Sequence, residues 1–135
     1  MVLIEWRESF SVGIELFDQQ HKELLKMLNE VFEVIRKSKN DKALAPVLTR
    51  LEEYVEVHFG DEERKMRLHD FNGYADHKKE HQELTASLKD LRRRFNPSST
   101  GLSVPLMRFL ESWLVDHIIG TDMKYKPFFQ NKGLH

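Results

Sequence analysis

The feature that most restricts this chain is a leucine-type periodicity broken, in register, by histidines and acids. Apolar residues recur at steps of three and four through four segments, the signature of amphipathic helices. The first carries His21, Leu24, Leu28, Val31 and Ile35, and the second Leu44, Leu48, Leu51, Val55, His58 and Glu62. The third carries His77, His81, Leu84, Leu88, Leu91 and Phe95, and the fourth Leu106, Leu110, Trp113 and His117. Asp122 follows just beyond the fourth stripe. Imidazoles and carboxylates in positions suited to leucine are costly to bury unless paired or bound to metal. A set of them sharing the inward register of one small domain therefore points to a metal centre.

The spacing supports chelation. Residues four apart on a helix differ by about 40° in direction and about 6 Å along the axis, so His58 with Glu62, and His77 with His81, each address one space between helices. Either pair alone is weak evidence, because exposed helices contain such pairs often. Their combination with His21 and His117 on other helices is strong. Cysteine is absent, which removes disulfides, thiolate catalysis and iron–sulfur clusters and leaves nitrogen and oxygen as donors. It also fits a cytoplasmic protein.

A chain of 135 residues suits a single domain over 1–135, long enough to bury roughly two-thirds of its unfolded surface. The polar stretches Lys37-Ser38-Lys39-Asn40-Asp41, His69-Asp70-Phe71-Asn72-Gly73 and Asn96-Pro97-Ser98-Ser99-Thr100-Gly101 separate the helices. Pro46 and Pro105 fall near the starts of the second and fourth helices, where a missing N–H does least harm. Short loops between long helices imply an all-α, up-down-up-down antiparallel four-helix bundle over about 17–120. An irregular arm over about 1–16, with Trp6, Phe10, Val12 and Ile14 and containing Gly13, is expected to cap one end, and a C-terminal segment covers about 121–135. The net charge of -1 gives no electrostatic case for nucleic acid or an anionic membrane. The run Arg92-Arg93-Arg94 suits a solvated helix end. No long apolar leader or membrane anchor is visible near the N-terminus.

Asp122 is the geometrically awkward member. Five residues after His117, it would point about 140° away on an ideal α-helix. If both bind metal, the backbone must be irregular around Ile119 to Thr121, through a helix end at Gly120 or a widened π-type turn. Alternatively, Asp122 caps the following segment. Glu63 and Asp116, one step of about 100° from candidate ligands, are expected to face outward. His69 and His135 are expected in solvent, while Tyr54 and Tyr125 either shield the centre or orient a group behind a ligand.

The order of these residues resembles the hemerythrin family, and more closely its single-domain bacterial members. The resemblance runs over about residues 6 to 128: Trp6, Val12-Gly13-Ile14, Phe17-Asp18-Gln19-Gln20-His21-Lys22-Glu23-Leu24, His58-Phe59, Glu62-Glu63, Met66, His77, His81, Trp113-Leu114, His117-Ile118, Asp122 and Tyr125. It implies a cofactor of two iron ions with an oxo or hydroxo bridge. By that resemblance His77, His81 and His117 complete one iron, His21 and His58 bind the other, and Glu62 and Asp122 bridge them. One iron is then saturated and the other keeps a position for a small ligand. Seven shared donors suit two octahedral-preferring ions better than tetrahedral zinc. The family implies reversible dioxygen binding rather than enzymatic turnover, with Phe59, Trp113, Leu114 and Ile118 as an apolar oxygen pocket. Storage or delivery by a monomer, with an oxygen-consuming enzyme as a conceivable partner, is favoured because no output domain is visible. A sensor of O2, nitric oxide or redox state, and a di-iron peroxidase or oxygenase, are the alternatives.

Overall fold

The computed structural model describes residues 4–37, 44–94 and 103–135, with the side chains of 94 and 103–106 excepted. The expected connections at 38–41 and 96–101, with Phe95 and the side chain of Leu106, lie outside the described residues.

Four long helices, α1 (Glu15–Lys37), α2 (Leu44–Leu68), α3 (Tyr74–Arg94) and α4 (Ser103–Asp116), form the bundle. α1 packs against α2 and α4, and α2 against α1 and α3. The architecture is the expected all-α four-helix bundle, and the described residues contain no strand. The stripes face inward as their spacing requires. Leu24, Leu28, Val31, Leu44, Leu48, Leu51, Val55, Leu88, Leu110 and Trp113 are buried, and Ile35, Leu84 and Leu91 are packed at the margin. Burying a leucine or valine side chain contributes about 1.5–3 kcal/mol, so these stripes carry most of the driving force for assembly.

α2 ends where Asp70 takes a left-handed conformation, φ 56°, and the Phe71 amide reaches back to the Met66 carbonyl at 2.9 Å. This closes the last turn and directs the chain into α3. α4 does not stop near Gly120. It passes through a π-helical turn (His117–Thr121) and a 3-10 turn (Asp122–Tyr125) into a short α5 (Lys126–Asn131).

The apolar interior is in two parts. The larger fills the bundle, and a smaller one joins Val12, Ile14, Phe17, Met66, Tyr125 and Phe129. The expected single cap made by the N-terminal arm is thereby divided. Val12 and Ile14 belong to the smaller cluster, whereas Ile4, Trp6 and Phe10 pack against the larger one. The backbone of Ile4 exchanges hydrogen bonds of 3.1 and 2.8 Å with the Asn29 side chain, which fastens the arm along α1. The division falls at Ser11, after the 3-10 turn Glu8–Phe10, and Gly13, at φ +78°, supplies a turn within the second part, between Val12 and Ile14. No helix among the described residues is long and apolar enough to cross a membrane.

Candidate metal centre

Where the two apolar clusters meet, α1 supplies His21, α2 His58 and Glu62, α3 His77 and His81, and the α4–π segment His117 and Asp122. All seven side chains are buried, none more than 4% exposed. The pairs four apart on α2 and α3 turn into the same space. The π turn resolves the awkward spacing: the Asp122 amide donates to the His117 carbonyl. A ring closed from i to i+5 superimposes residues that an α-helix would splay apart. His117 Nε2 consequently lies 3.0 Å from Asp122 Oδ1. Asp122 is the first residue inside the 3-10 turn, whose N-cap position is taken by Thr121, so it does not cap the segment that follows. A Cβ on Gly120 would meet nothing within 4 Å and its φ is not positive. The bend is therefore a change of hydrogen-bond period and not a glycine-induced helix end.

The ligand atoms form two overlapping groups, Glu62, His77, His81, His117 and Asp122 in one, and His21, His58, Glu62 and Asp122 in the other. Within each group they lie within 4.8 Å of one another. Glu62 and Asp122 belong to both, which is the arrangement two bridging carboxylates need. His77 Nε2 is 2.9 Å from Asp122 Oδ1, His58 Nε2 3.1 Å from Glu62 Oε1, His21 Nε2 3.0 Å from Asp122 Oδ2, and His81 Nε2 3.1 Å from His117 Nε2. Two donors each about 2.1 Å from one ion and at right angles around it are about 3 Å apart. The separations thus match octahedral edges.

Unmet polar atoms test the fit independently. His21 Nδ1 and Nε2, His58 Nε2, Glu62 Oε1 and Asp122 Oδ2 are buried without a hydrogen bond. Their close contacts lack hydrogen-bond direction. Leaving one such atom unsatisfied costs about 1–3 kcal/mol, and more when charged. Four of the five belong to the groups of ligand atoms around the shared space, so a pair of cations there would satisfy them together. The same field acts on the carboxylates. Burial raises the Asp122 pKa, yet the charge of His117 and the close imidazoles of His117, His21 and His77 hold it well below the ordinary carboxylate value. Burial and Asp122 push Glu62 upward, but His58 and His81 leave it ionised below its ordinary range. Metal ligands must be deprotonated carboxylates of this kind.

Three histidines are held from behind by residues whose roles the sequence did not reveal. His58 Nδ1 donates to Gln20 Oε1 at 2.6 Å, His81 Nδ1 to Glu63 Oε2 at 2.9 Å, and His117 Nδ1 to Glu80 Oε1 at 2.8 Å. Such bonds fix the tautomer that presents Nε2 to a metal. The pattern is ordered. Gln20 on α1 supports a histidine of α2, Glu63 on α2 one of α3, and Glu80 on α3 the one that opens the π turn after α4. Glu63 therefore does not face outward as expected. Its 100° step from Glu62 places it in the groove between helices, where it reaches the neighbouring helix's histidine. Gln20 in turn donates to Asp61 at 2.7 Å, and Thr121 donates to Glu80 at 2.6 Å. Their only signal in the sequence is adjacency to a ligand.

Tyr125 is buried, donates its hydroxyl to Glu62 Oε2, and lies parallel to the His77 ring at 5.6 Å. It both shields and orients. Tyr54 only packs, half-buried, on the main core. Phe59 stacks on His81 at 3.8 Å and 3°, and approaches His117 at 5.4 Å. Trp113, Leu114 and Ile118 are buried in the same core cluster. Asp116 is exposed and accepts from Ser112, as expected of an outward residue. His69 departs from expectation: it is half-buried, edge-on to Phe129 at 6.0 Å. Arg92 engages Glu52 rather than standing free at the helix end.

Comparison with known proteins gives the same reading. The hemerythrin HHE cation binding domain matches residues 12–129. The bacteriohemerythrin of Methylococcus capsulatus is 30% identical over 94% of this chain and 97% of its own. The myohemerythrin of Riftia pachyptila is 36% identical over 90% of this chain and 89% of its own. A crystal structure of wild-type hemerythrin superimposes with a TM-score of 0.84 at 30% identity, covering 93% of this chain and 96% of that one. With a bundle of that shape, a buried set of imidazoles and shared carboxylates fitted to two ions, and a family match over most of its length, the chain belongs to the hemerythrin family, whose cofactor is a pair of irons.

Proposed function

We propose that this protein binds dioxygen reversibly at its di-iron centre, for storage or for delivery to oxygen-requiring enzymes. The observation that carries the reading is the unequal division of histidines over two shared carboxylates. His77, His81 and His117 would hold one ion and His21 and His58 the other, with Glu62 and Asp122, which lie in both groups of ligand atoms, able to serve either. An oxo- or hydroxo-bridged iron pair supplies two electrons to a small ligand without needing a side-chain acid. The protein's own contribution is exclusion and orientation. Phe59 lies against His81 and His117, and Trp113, Leu114 and Ile118 are buried in the same core cluster, an apolar setting that would disfavour water and charged competitors. Gln20, Glu63 and Glu80 hold imidazole rings so that binding requires little rearrangement. We read the protein as a binder rather than an enzyme because the hemerythrin relatives it resembles along most of its length are oxygen-binding proteins. We also read it as one cytoplasmic domain acting as a monomer.

The test is anaerobic reduction of the iron-loaded protein followed by admission of oxygen. A visible charge-transfer band that appears with oxygen and vanishes when oxygen is removed supports the proposal. Rapid irreversible oxidation under the same conditions overturns it in favour of sensing or redox catalysis.

A further inference from the structure

The support behind the histidines differs between the two ions. On the three-histidine side, His81 and His117 both donate Nδ1–H to carboxylates, Glu63 at 2.9 Å and Glu80 at 2.8 Å. On the two-histidine side, His58 donates to the neutral amide of Gln20 at 2.6 Å, and His21 Nδ1 has no hydrogen bond. An anionic acceptor pulls an imidazole toward imidazolate and strengthens it as a donor, whereas an amide does so weakly and an absent partner not at all. Stronger donation and added negative charge favour the ferric state. The acceptors are positioned and not incidental: Glu80 also accepts from Thr121 of the π turn, and Gln20 is held by Asp61.

We propose that Glu63 and Glu80 are positioning residues that make the two irons redox-unequal, so that the first electron leaves the three-histidine iron while the two-histidine iron stays ferrous. In a one-electron oxidation by ferricyanide, Fe(II)Fe(II) becomes Fe(III)Fe(II) and ferricyanide becomes ferrocyanide. The ferric charge sits beside Glu63 and Glu80, and the iron with the open position keeps its reducing electron. This rests on the di-iron reading above, but it does not require that oxygen binding be reversible.

The experiment is an anaerobic titration of the iron-loaded protein with ferricyanide, resolving its two one-electron steps. Glu63→Gln and Glu80→Gln each raise the first midpoint potential, by about 59 mV for every tenfold change in the Fe(III)/Fe(II) ratio, and affect the second less. Gln20→Glu with Asp61→Asn, which places a carboxylate behind His58 without opposing Asp61, lowers the second step and narrows the gap between the two. Glu80→Asp restores part of the first shift, which loss of packing alone would not do. The proposal is overturned if the Gln20/Asp61 variant moves the first step while the glutamine variants do not, or if no variant moves either step. If a glutamine variant fails to hold iron, the Gln20/Asp61 variant decides the matter: a lowered second step supports the proposal, and a second step left at its native potential sinks it. Native protein that takes up fewer than two irons refutes the di-iron reading itself, and oxygen binding that proves irreversible bears only on the proposed function.

Discussion

Removing one oxygen atom from Tyr125 isolates a single interaction at the heart of the site. Tyr125→Phe keeps the ring, its parallel contact with His77 at 5.6 Å and its contacts with Phe17 at 5.8 Å and Phe129 at 5.2 Å. The packing term is therefore close to zero, and the change reads out the hydroxyl donated to Glu62 Oε2. Hydrogen bonds to charged groups contribute about 1.5–3 kcal/mol. Glu62 Oε1 already lacks a partner, so losing the donor at Oε2 leaves a buried carboxylate with neither oxygen hydrogen-bonded. In the metal-free protein we expect the upper half of that range, about 2–3 kcal/mol, or a urea midpoint lower by about 1 M for a slope near 2 kcal/mol/M. With iron bound, the cations satisfy the same oxygens and the loss falls to about 1 kcal/mol. The variant is then stabilised more by metal than the native protein is, although it is the less stable of the two in both states. Urea denaturation with and without Fe(II), under argon, measures both quantities. A metal-free variant within about 0.5 kcal/mol of native, or a larger loss in the iron-loaded form, would refute the reasoning.

The other predictions concern the bridge, the charge state and the turn. Glu62→Ala removes a ligand common to both ions and should abolish tight binding of both; two retained irons in a metal analysis would contradict its bridging role. Burial lowers the His117 pKa, but the charge of Asp122 and hydrogen bonds to Asp122 and Glu80 raise it to about 10. Its contribution to the stability of the metal-free protein is therefore complete below about 6.5 and lost as pH rises through about 10. The depressed Glu62 and Asp122 act oppositely, contributing above their ordinary values and losing that contribution on acidification. Thermal melting of metal-free protein across pH should thus show a maximum between about 4.5 and 6.5, and an optimum near pH 9 would sink the assignment. Gly120→Ala, with open space for its methyl group and an ordinary φ, should leave iron content unchanged and stabilise by about 0.4–1 kcal/mol; destabilisation would restore a special role for glycine in the bend.

What the sequence made readable followed from periodicity. Steps of three and four placed His21, His58, Glu62, His77, His81 and His117 on inward faces because the same faces carry Leu24, Val55, Leu88 and Trp113, and burial of those residues fixes each helix's rotation. The i to i+5 interval between His117 and Asp122 called for a local irregularity if both were ligands, but a helix end at Gly120 and a π turn met that need equally, and the structure takes the π turn. Glu63 was misplaced because a helical wheel describes one helix against an undifferentiated exterior. Whether a residue 100° from the core faces water or a neighbouring helix depends on helix order and spacing, which no single stripe encodes. The arm failed differently: Trp6, Phe10, Val12 and Ile14 have no period from which to assign them to one cluster or the other, and the division falls between Phe10 and Val12.

The cross-helix supports also explain how a core can tolerate such a cluster. Gln20 and Glu63 each lie on the helix preceding the one whose histidine they fix, and Glu80 on α3 fixes the one that opens the π turn after α4, so the contacts that orient the ligands also tie α1 to α2, α2 to α3 and α3 to that turn. The series does not close. No described side chain completes the circuit from α4 to the Nδ1 of His21, which is left buried and unbonded. Orientation of His21 must then come from packing and from the metal itself, whereas His81 and His117 are set before metal arrives. The half of the cluster formed by His77, His81 and His117 is accordingly better preorganised than the half formed by His21 and His58.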